Sequence, residues 1–253
     1  GAAWLHTWLG RFAEPARLRN WWRGYEDFAF PGSRALIGCA PRRPDILHIH
    51  NLHGGYFDLT QLASLSQNFP VVLTLHDQWL LTGHCAVSFG CERWRHGCGA
   101  CPDLGLYPAI RRDATSRNWR VKAEIFRDCR LFVAAPSAWL LSMAQQSMLA
   151  PAIVEARVIP NGVDTTVFAP GSKAAARRAL GLPVDVDVLL FAAAGTRDNP
   201  YKDYGTILAA VRGIAAYFAD RRMIFTALGA PGETIRLGET EIHHVGFVRD
   251  SRR

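Results

Sequence analysis

Polar side chains that could move a proton or bind a ligand follow two apolar segments of the sequence. His50, Asn51 and Gly54 come after the first segment, and His76 and Asp77 come after the second. If both segments are parallel strands, their carboxyl ends share one edge of a sheet, where α/β proteins bind ligands. Imidazole and carboxylate groups there suit proton transfer or substrate orientation. Neighbouring strand residues point to opposite faces, so Asp77 need not contact His76 and is equally suited to capping a following helix.

Arg197 and Lys202 lie five positions apart in a predicted turn between an apolar segment and an amphipathic one. An arginine offers a bidentate fork to a diphosphate and a lysine offers a point charge. The start of a following helix would add backbone N–H donors. The spacing predicts an anion site, and a solvated surface loop is the alternative.

Four cysteines are concentrated between positions 85 and 101, at Cys85, Cys91, Cys98 and Cys101. Four thiolates around Zn²⁺ form a common structural site, and the Cys-x2-Cys half has the spacing of a zinc knuckle. Glycines between the cysteines permit the tight turns that a knuckle requires. Disulfides and buried, unreactive thiols remain alternatives, although no secretion signal favours disulfides.

Short apolar segments that alternate with helical patterns must position these residues. Strands are predicted at residues 45–50, 71–75, 131–135, 158–159, 188–194, 223–228 and 242–245. Several are apolar on both faces, as buried parallel strands are, and His48 is expected to be a partly buried strand residue. Apolar residues at helical spacing predict helices over 173–180 and 206–218. The alternation indicates a doubly wound α/β architecture.

A turn signal at Asn161-Gly162 and a connector at 169–172 predict two domains. We expect the first over 1–168, with a cysteine-rich insert at 82–103, and the second over 169–253. The second domain shows three predicted strands, whereas doubly wound nucleotide-binding domains usually have five or six.

Composition and charge limit the class of protein. Apolar residues make up 49% of the 253 residues and charged residues 20%, which excludes disordered, collagen-like and coiled-coil chains. No apolar segment approaches the ~20 residues of a spanning helix. The net charge of +7 suits anionic partners. The basic, amphipathic N-terminal segment carries Trp4, Trp8, Trp21 and Trp22, which fits an anionic membrane surface or an ordinary helix of a longer chain.

Five stretches occur in a characteristic order, and they are residues 45–50, 71–77, 136–137, 158–164 and 197–202. Together they resemble the retaining glycosyltransferases of family 4, and the stretch from Ile159 to Asp164 is the most specific. The segment from His76 through the four cysteines is similar to one branch of that family. Members of this branch build bacterial exopolysaccharides and other surface glycans.

The resemblance implies the GT-B fold, with two Rossmann-like doubly wound domains, and it implies roles for individual residues. His76 would line the catalytic cleft near the transferred sugar, while Arg197 and Lys202 would hold the donor diphosphate. The remaining matched positions are Asn161 and Gly162 at the interdomain crossover, and Gly246 and Phe247 in the loop near the nucleotide base. His50, Asn51 and Gly54 would lie in the substrate cleft. Such enzymes need no catalytic metal, so zinc at the cysteines would be structural.

The implied function is transfer of a sugar, with retention of configuration, from a nucleotide-diphosphate sugar to a glycan or lipid-linked acceptor. We expect a cytoplasmic protein, peripheral at the inner face of the plasma membrane, with no nucleic-acid partner. Asp203 stands where the family commonly has glycine. The family's first glycine-rich loop and its Glu-x7-Glu motif are absent. We therefore expect a first domain without its start, a truncated second domain and little activity from the isolated chain.

Two other functions fit parts of the sequence. A sugar-nucleotide epimerase or a phosphorylase shares the fold, but the stretch from Ile159 to Asp164 disfavours both. A zinc-knuckle nucleic-acid-binding protein would fit the basic charge and the cysteines. Against it, the basic residues are scattered and the cysteines lie within an α/β pattern.

Overall fold

The computed structural model describes residues 15–26, 28, 30–193, 195, 199–229 and 231–249. The chain divides into two compact units, Gly1–Asn161 and Gly162–Arg253. Each unit carries one four-stranded sheet, as expected for an α/β chain with parallel strands.

The sheet of the first unit is parallel throughout, and its strands follow one another in chain order. They are β1 (Leu47–His50), β2 (Val71–Thr74), β3 (Leu131–Ala135) and β4 (Ile153–Val158). The helices are α1 (Pro15–Arg23), α2 (Gln61–Asn68), α3 (Thr115–Arg127) and α4 (Ala138–Gln145). Shorter 3-10 helices span Pro31–Cys39, Trp79–Leu81, Arg93–Arg95 and Ala150–Ala152. This order matches one half of a doubly wound sheet.

The core of the first unit lies around the two central strands. Val71 and Leu73 of β2 are fully buried, and Leu131 of β3 is fully buried beside them. Phe126 of α3 packs into the same cluster. Burial on this scale stabilises the unit by roughly 1.5–3 kcal/mol for each large apolar side chain.

The fourth strand corrects the prediction of a strand at 158–159. β4 begins at Ile153 and ends at Val158. The polar residues of β4 obscure its apolar pattern in the sequence, because Glu155 and Arg157 lie exposed and form an ion pair of 2.6 Å. An edge strand tolerates such polar residues.

The second unit contains a mixed sheet in the order β5-β6-β8-β7. Its strands are β5 (Asp187–Ala192), β6 (Met223–Leu228), β7 (Ile235–Leu237) and β8 (Thr240–Val245). Its helices are α5 (Lys173–Ala179) and α6 (Tyr204–Tyr217), with a 3-10 turn at Pro200–Lys202. The prediction of three strands is therefore wrong, since the described residues hold four. The missed strand, β7, has three residues and pairs antiparallel with β8, so it is too short for a periodic signal.

The cysteine-rich insert has very little regular structure. Between Leu81 and the start of α3, the Arg93–Arg95 turn is the only helix or strand. Gly83 anchors the insert against α3, because a Cβ there would lie 2.4 Å from the backbone oxygen of Thr115. Within the described part of the chain, no helix combines the length and the apolar character needed to cross a membrane.

Candidate active site

Two rows of polar side chains meet at the carboxyl edge of β1 and β2. The parallel register places His48 beside Val72 and His50 beside Thr74. His48 Nε2 lies 2.9 Å from Thr74 Oγ1, and His50 Nδ1 lies 2.9 Å from His76 Nε2. The structure thus brings His50 and His76 together, as a shared sheet edge requires.

His48 lies in this cluster and is exposed, whereas the sequence predicted a partly buried strand residue. Its ring centroid lies 4.2 Å from that of His50. Desolvation, followed by the neighbouring imidazoles of His50 and His76, lowers the pKa of His48. A lowered pKa keeps the ring neutral near pH 7, so that it retains one nitrogen acceptor.

Asp77 pairs with a histidine that the sequence analysis missed. Its Oδ2 lies 2.7 Å from His53 Nε2, and both side chains are largely buried. Its Oδ1 accepts a hydrogen bond of 2.9 Å from Trp79 N and so caps the turn at Trp79–Leu81. Tyr107 Oη lies 3.5 Å from His53 Nδ1. The available signal was the spacing His48-x-His50-x2-His53, in which the third histidine follows the strand.

The loop after β1 has a backbone that depends on particular residue types. Asn51 adopts φ +41° and Gly54 φ +103°. Asparagine tolerates the left-handed region, and the angle at Gly54 favours glycine. Tyr56 Oη donates to the carbonyl oxygens of Asn51, at 2.6 Å, and His50, at 3.1 Å. These bonds hold Asn51 and Gly54 exposed beside the histidines.

In the second unit, Lys202 ends the turn that precedes α6 and is exposed to solvent. Arg197 lies outside the described residues. Asp203 adopts φ +43°, and its Oδ1 accepts a hydrogen bond of 3.2 Å from Thr206 N. The left-handed backbone at position 203 explains why a glycine would suit this position. The carboxylate here is engaged as the N-cap of α6.

The other predicted site residues lie in exposed connecting segments. Asn161 and Gly162 are exposed where the two units divide. Gly246 and Phe247 follow β8, and the side chain of Phe247 is 74% exposed. Asn161, Gly162 and Phe247 are thus accessible to a ligand, whereas Gly246 is half-buried.

The four cysteines of the insert line one small cavity of about 20 Å³. They are Cys85, Cys91, Cys98 and Cys101, and all are free thiols. Burial is the main cause that raises the pKa of Cys98 to about 11. Among the residues that the structure describes, no three Cys, His, Asp or Glu side chains are placed so that they could already hold a metal ion.

The sequence of the first unit matches a known family. The model of Glycosyltransferase Family 4 matches residues 4–167, which is more than half of the chain. The chain belongs to glycosyltransferase family 4. The histidine edge of β1 and β2 and the cysteine-rich insert both lie within the matched region.

Two curated relatives agree with this assignment. The family 4 chain is 32% identical over 133 residues to the "Putative colanic acid biosynthesis glycosyl transferase WcaC" of Escherichia coli strain K12. That match covers 48% of this chain and 32% of the relative. A shorter match, 60% identical over 35 residues, links it to the "D-inositol 3-phosphate glycosyltransferase" of Acidothermus cellulolyticus and covers 14% of this chain and 8% of that relative. The chain therefore covers no more than about a third of these relatives.

Proposed function

We propose that the protein is a glycosyltransferase of surface-polysaccharide synthesis. It would transfer a sugar from a nucleotide-diphosphate donor to a glycan or lipid-linked acceptor, with retention of configuration. Family membership and the likeness to a colanic acid relative support the reaction class. The observation that carries the proposal is the group of His48, His50 and His76 at the sheet edge, where α/β proteins bind ligands.

In this proposal the first unit binds the acceptor and the reacting end of the sugar. His76 faces the sugar, and the contact with His50 fixes the orientation of its ring. Asn51 and Gly54, exposed in the adjoining loop, contribute polar contacts and a close backbone approach. The proposal includes no catalytic metal, and the imidazole groups at this edge would supply hydrogen bonds to sugar hydroxyls.

The second unit would bind the donor. Lys202, together with Arg197, holds the diphosphate, while the first turn of α6 presents backbone N–H groups. Breaking the glycosyl–phosphate bond leaves negative charge on the diphosphate, and fixed cations stabilise that charge. Asp203 weakens this site less than an unengaged carboxylate would, because its Oδ1 already accepts from Thr206 N.

Residues of connecting segments would complete the donor site. Gly246 and Phe247 approach the nucleotide base, and the exposed ring of Phe247 offers a stacking surface. Asn161 and Gly162 form the crossover between the units.

Calorimetric titration with a panel of nucleoside diphosphates tests the donor site. Lys202→Ala should weaken binding about 10- to 100-fold, which corresponds to the ~1.5–3 kcal/mol of a hydrogen bond to a charged group. The matched control is Lys173→Ala, since Lys173 is also an exposed lysine of the second unit. Equal binding by both variants would refute the role of Lys202.

A second measurement separates binding from chemistry. In a form of the protein that shows transfer activity, His76→Ala should leave the affinity for the nucleoside diphosphate unchanged and lower sugar transfer about a hundredfold or more. Analysis of the products distinguishes a transferred sugar from an epimerised nucleotide sugar. The anomeric configuration of the product tests retention.

We further propose a cytoplasmic protein at the inner face of the plasma membrane, and a basic aromatic surface supports the membrane contact. Arg111 lies 3.9 Å above the ring of Trp21, and Arg112 lies 5.2 Å above that of Trp22. Trp22 is 51% exposed. Tryptophan and arginine together suit the interface of an anionic bilayer. Trp4 and Trp8, also predicted for this role, lie outside the described residues.

Flotation with anionic vesicles tests this contact. Replacement of Arg111 and Arg112 by alanine should release the protein at low salt. The same replacement at Arg42 and Arg43, a second pair of exposed neighbouring arginines, should not. Equal flotation of both double variants would exclude this surface.

A further inference from the structure

The cysteine-rich insert is ordered although it has almost no regular secondary structure. The segment from 82 to 114, which includes the insert, contains a single 3-10 turn, yet Thr82, His84 and Trp94 are at most 3% exposed. Irregular segments longer than ~12–15 residues are uncommon in compact domains. Contacts other than a regular backbone ladder must therefore hold this segment in place.

The backbone between Cys98 and Cys101 has the form of a tight knuckle. Four successive residues have positive φ, and they are Gly97 at +117°, Cys98 at +54°, Gly99 at +91° and Ala100 at +45°. Cys98 and Ala100 are not glycines, so the positive φ at each of these two residues costs conformational energy. Such a backbone persists where other contacts fix it, and here it turns both cysteines of the Cys-x2-Cys pair towards one cavity.

Hydrogen bonds fix this knuckle to its surroundings. Gly99 N donates to Thr115 Oγ1 at 2.9 Å, and Cys101 N donates to Asp113 Oδ2 at 2.7 Å. The guanidinium of Arg93 donates to the carbonyl oxygens of Gly99 and Ala100. The knuckle is thereby held at the start of α3.

Polar groups also face the sulfur atoms themselves. Gly83 N donates to Cys98 Sγ at 3.3 Å. His84 Nε2 lies 3.4 Å from Cys101 Sγ, while its Nδ1 lies 3.0 Å from the carbonyl oxygen of Pro108. Outer contacts of this kind orient the ligands of metal sites.

We propose that Cys85, Cys91, Cys98 and Cys101 bind one structural Zn²⁺ in the cavity that they line. On binding, each thiol loses its proton to solvent and each sulfur forms one bond to zinc, with no change of oxidation state. Four thiolates give a closed tetrahedral set, which is typical of structural zinc. The cavity of about 20 Å³ has room for one small species.

Zinc binding would require the four sulfur atoms to rearrange. No three of the described Cys, His, Asp or Glu side chains are yet placed to hold a metal. Without a metal, no attraction holds the four thiols at one point, whereas Zn–S bonds of ~2.3 Å would draw the sulfur atoms together. All four cysteines line the same cavity, so the rearrangement would bring together side chains that already border one space.

Elemental analysis of the protein, purified without chelator and under reducing conditions, tests the site. We expect about one zinc per chain. Cys98→Ser should lose most of the zinc, while Cys98→His should retain it, because three cysteines and one histidine also form structural sites. The controls are Cys39→Ser and Cys129→Ser, which remove the two cysteines outside the cavity and should keep full zinc.

Measurements on the unmodified protein cover the case in which Cys98→Ser fails to fold. Modification of the thiols with a mercurial should release the zinc, and a metal-binding dye quantifies it. Replacement by Co²⁺ should give the charge-transfer and d–d absorption of a tetrahedral thiolate site. Four reactive thiols without zinc, or a mass loss that shows disulfides, would overturn the proposal. None of these outcomes depends on glycosyl transfer.

Discussion

The buried Lys122 of α3 offers a sharp test of how the first unit is held together. Its side chain is fully buried, and its Nζ lies 3.0 and 2.9 Å from the two carboxylate oxygens of Glu26. The same Nζ donates to the carbonyl oxygens of Trp79, at 2.9 Å, and Thr82, at 3.2 Å. One ammonium group thus joins the N-terminal segment, the turn after Asp77 and the start of the insert.

Lys122→Met keeps the apolar stem and removes the charge. The carboxylate of Glu26, whose side chain is 11% exposed, then loses its partner, and two carbonyl oxygens lose a donor. Removing one member of a buried pair costs about 3–5 kcal/mol. This is a large fraction of the ~5–15 kcal/mol by which a typical domain is stable.

Urea unfolding followed by tryptophan fluorescence measures this cost selectively. All eight tryptophans lie in the first unit, so the signal reports that unit alone. Arg120→Met is the matched control, because it removes an exposed cation from the same helix. It should change the free energy of unfolding by no more than about 0.5 kcal/mol.

A double variant identifies the source of the loss. Lys122→Met combined with Glu26→Leu removes both charges and should recover at least about 2 kcal/mol, because an apolar pair can replace a buried ion pair. The two orphaned carbonyl oxygens prevent full recovery. A cost below about 1 kcal/mol for Lys122→Met, or a double variant no more stable than the single, would refute this reasoning.

Three further predictions address other contacts. Burial raises the pKa of Glu26 from 4.5 to about 6, so the folded state holds the proton of Glu26 more tightly than the unfolded state does. The resulting stabilisation is complete below pH 4.5 and is lost as the pH rises through 6. Urea titrations should show the unmodified protein losing stability relative to Glu26→Gln across that window, and a difference independent of pH would contradict this. Gly83→Ala should cost about 1–3 kcal/mol through overpacking, whereas Gly38→Ala, with nothing within 4 Å of its Cβ, should cost far less in the same assay. Arg177 donates to three carbonyl oxygens of the loop after α5, so Arg177→Met should speed amide exchange over 181–187, while Arg178→Met, at an exposed neighbour, should not.

Local sequence was sufficient for most of the strands, whereas α2, α3 and α4 were not predicted. The strands β3 and β6 match the predicted segments at both ends, because continuous apolar residues bounded by polar turns have few other stable arrangements. The helix α6 starts at Tyr204, two residues before the predicted 206, because Asp203 caps it. β4 and β7 were misjudged, since edge strands carry polar residues or are too short for periodicity.

The sequence by itself also determined the class of protein and the sheet edge that carries the candidate site. Family motifs, the cysteine cluster and the placement of His50 and His76 after apolar strands are all readable within short windows. They depend on residue type and spacing, which local patterns record.

Tertiary structure alone decided which side chains meet. Asp77 pairs with His53 and not with the adjacent His76, whose Nε2 lies 2.9 Å from His50 Nδ1. Lys122 reaches Glu26 across 96 positions of sequence. No local pattern reveals a buried lysine, since its burial depends on a carboxylate and two carbonyl oxygens that only the folded chain brings to one point.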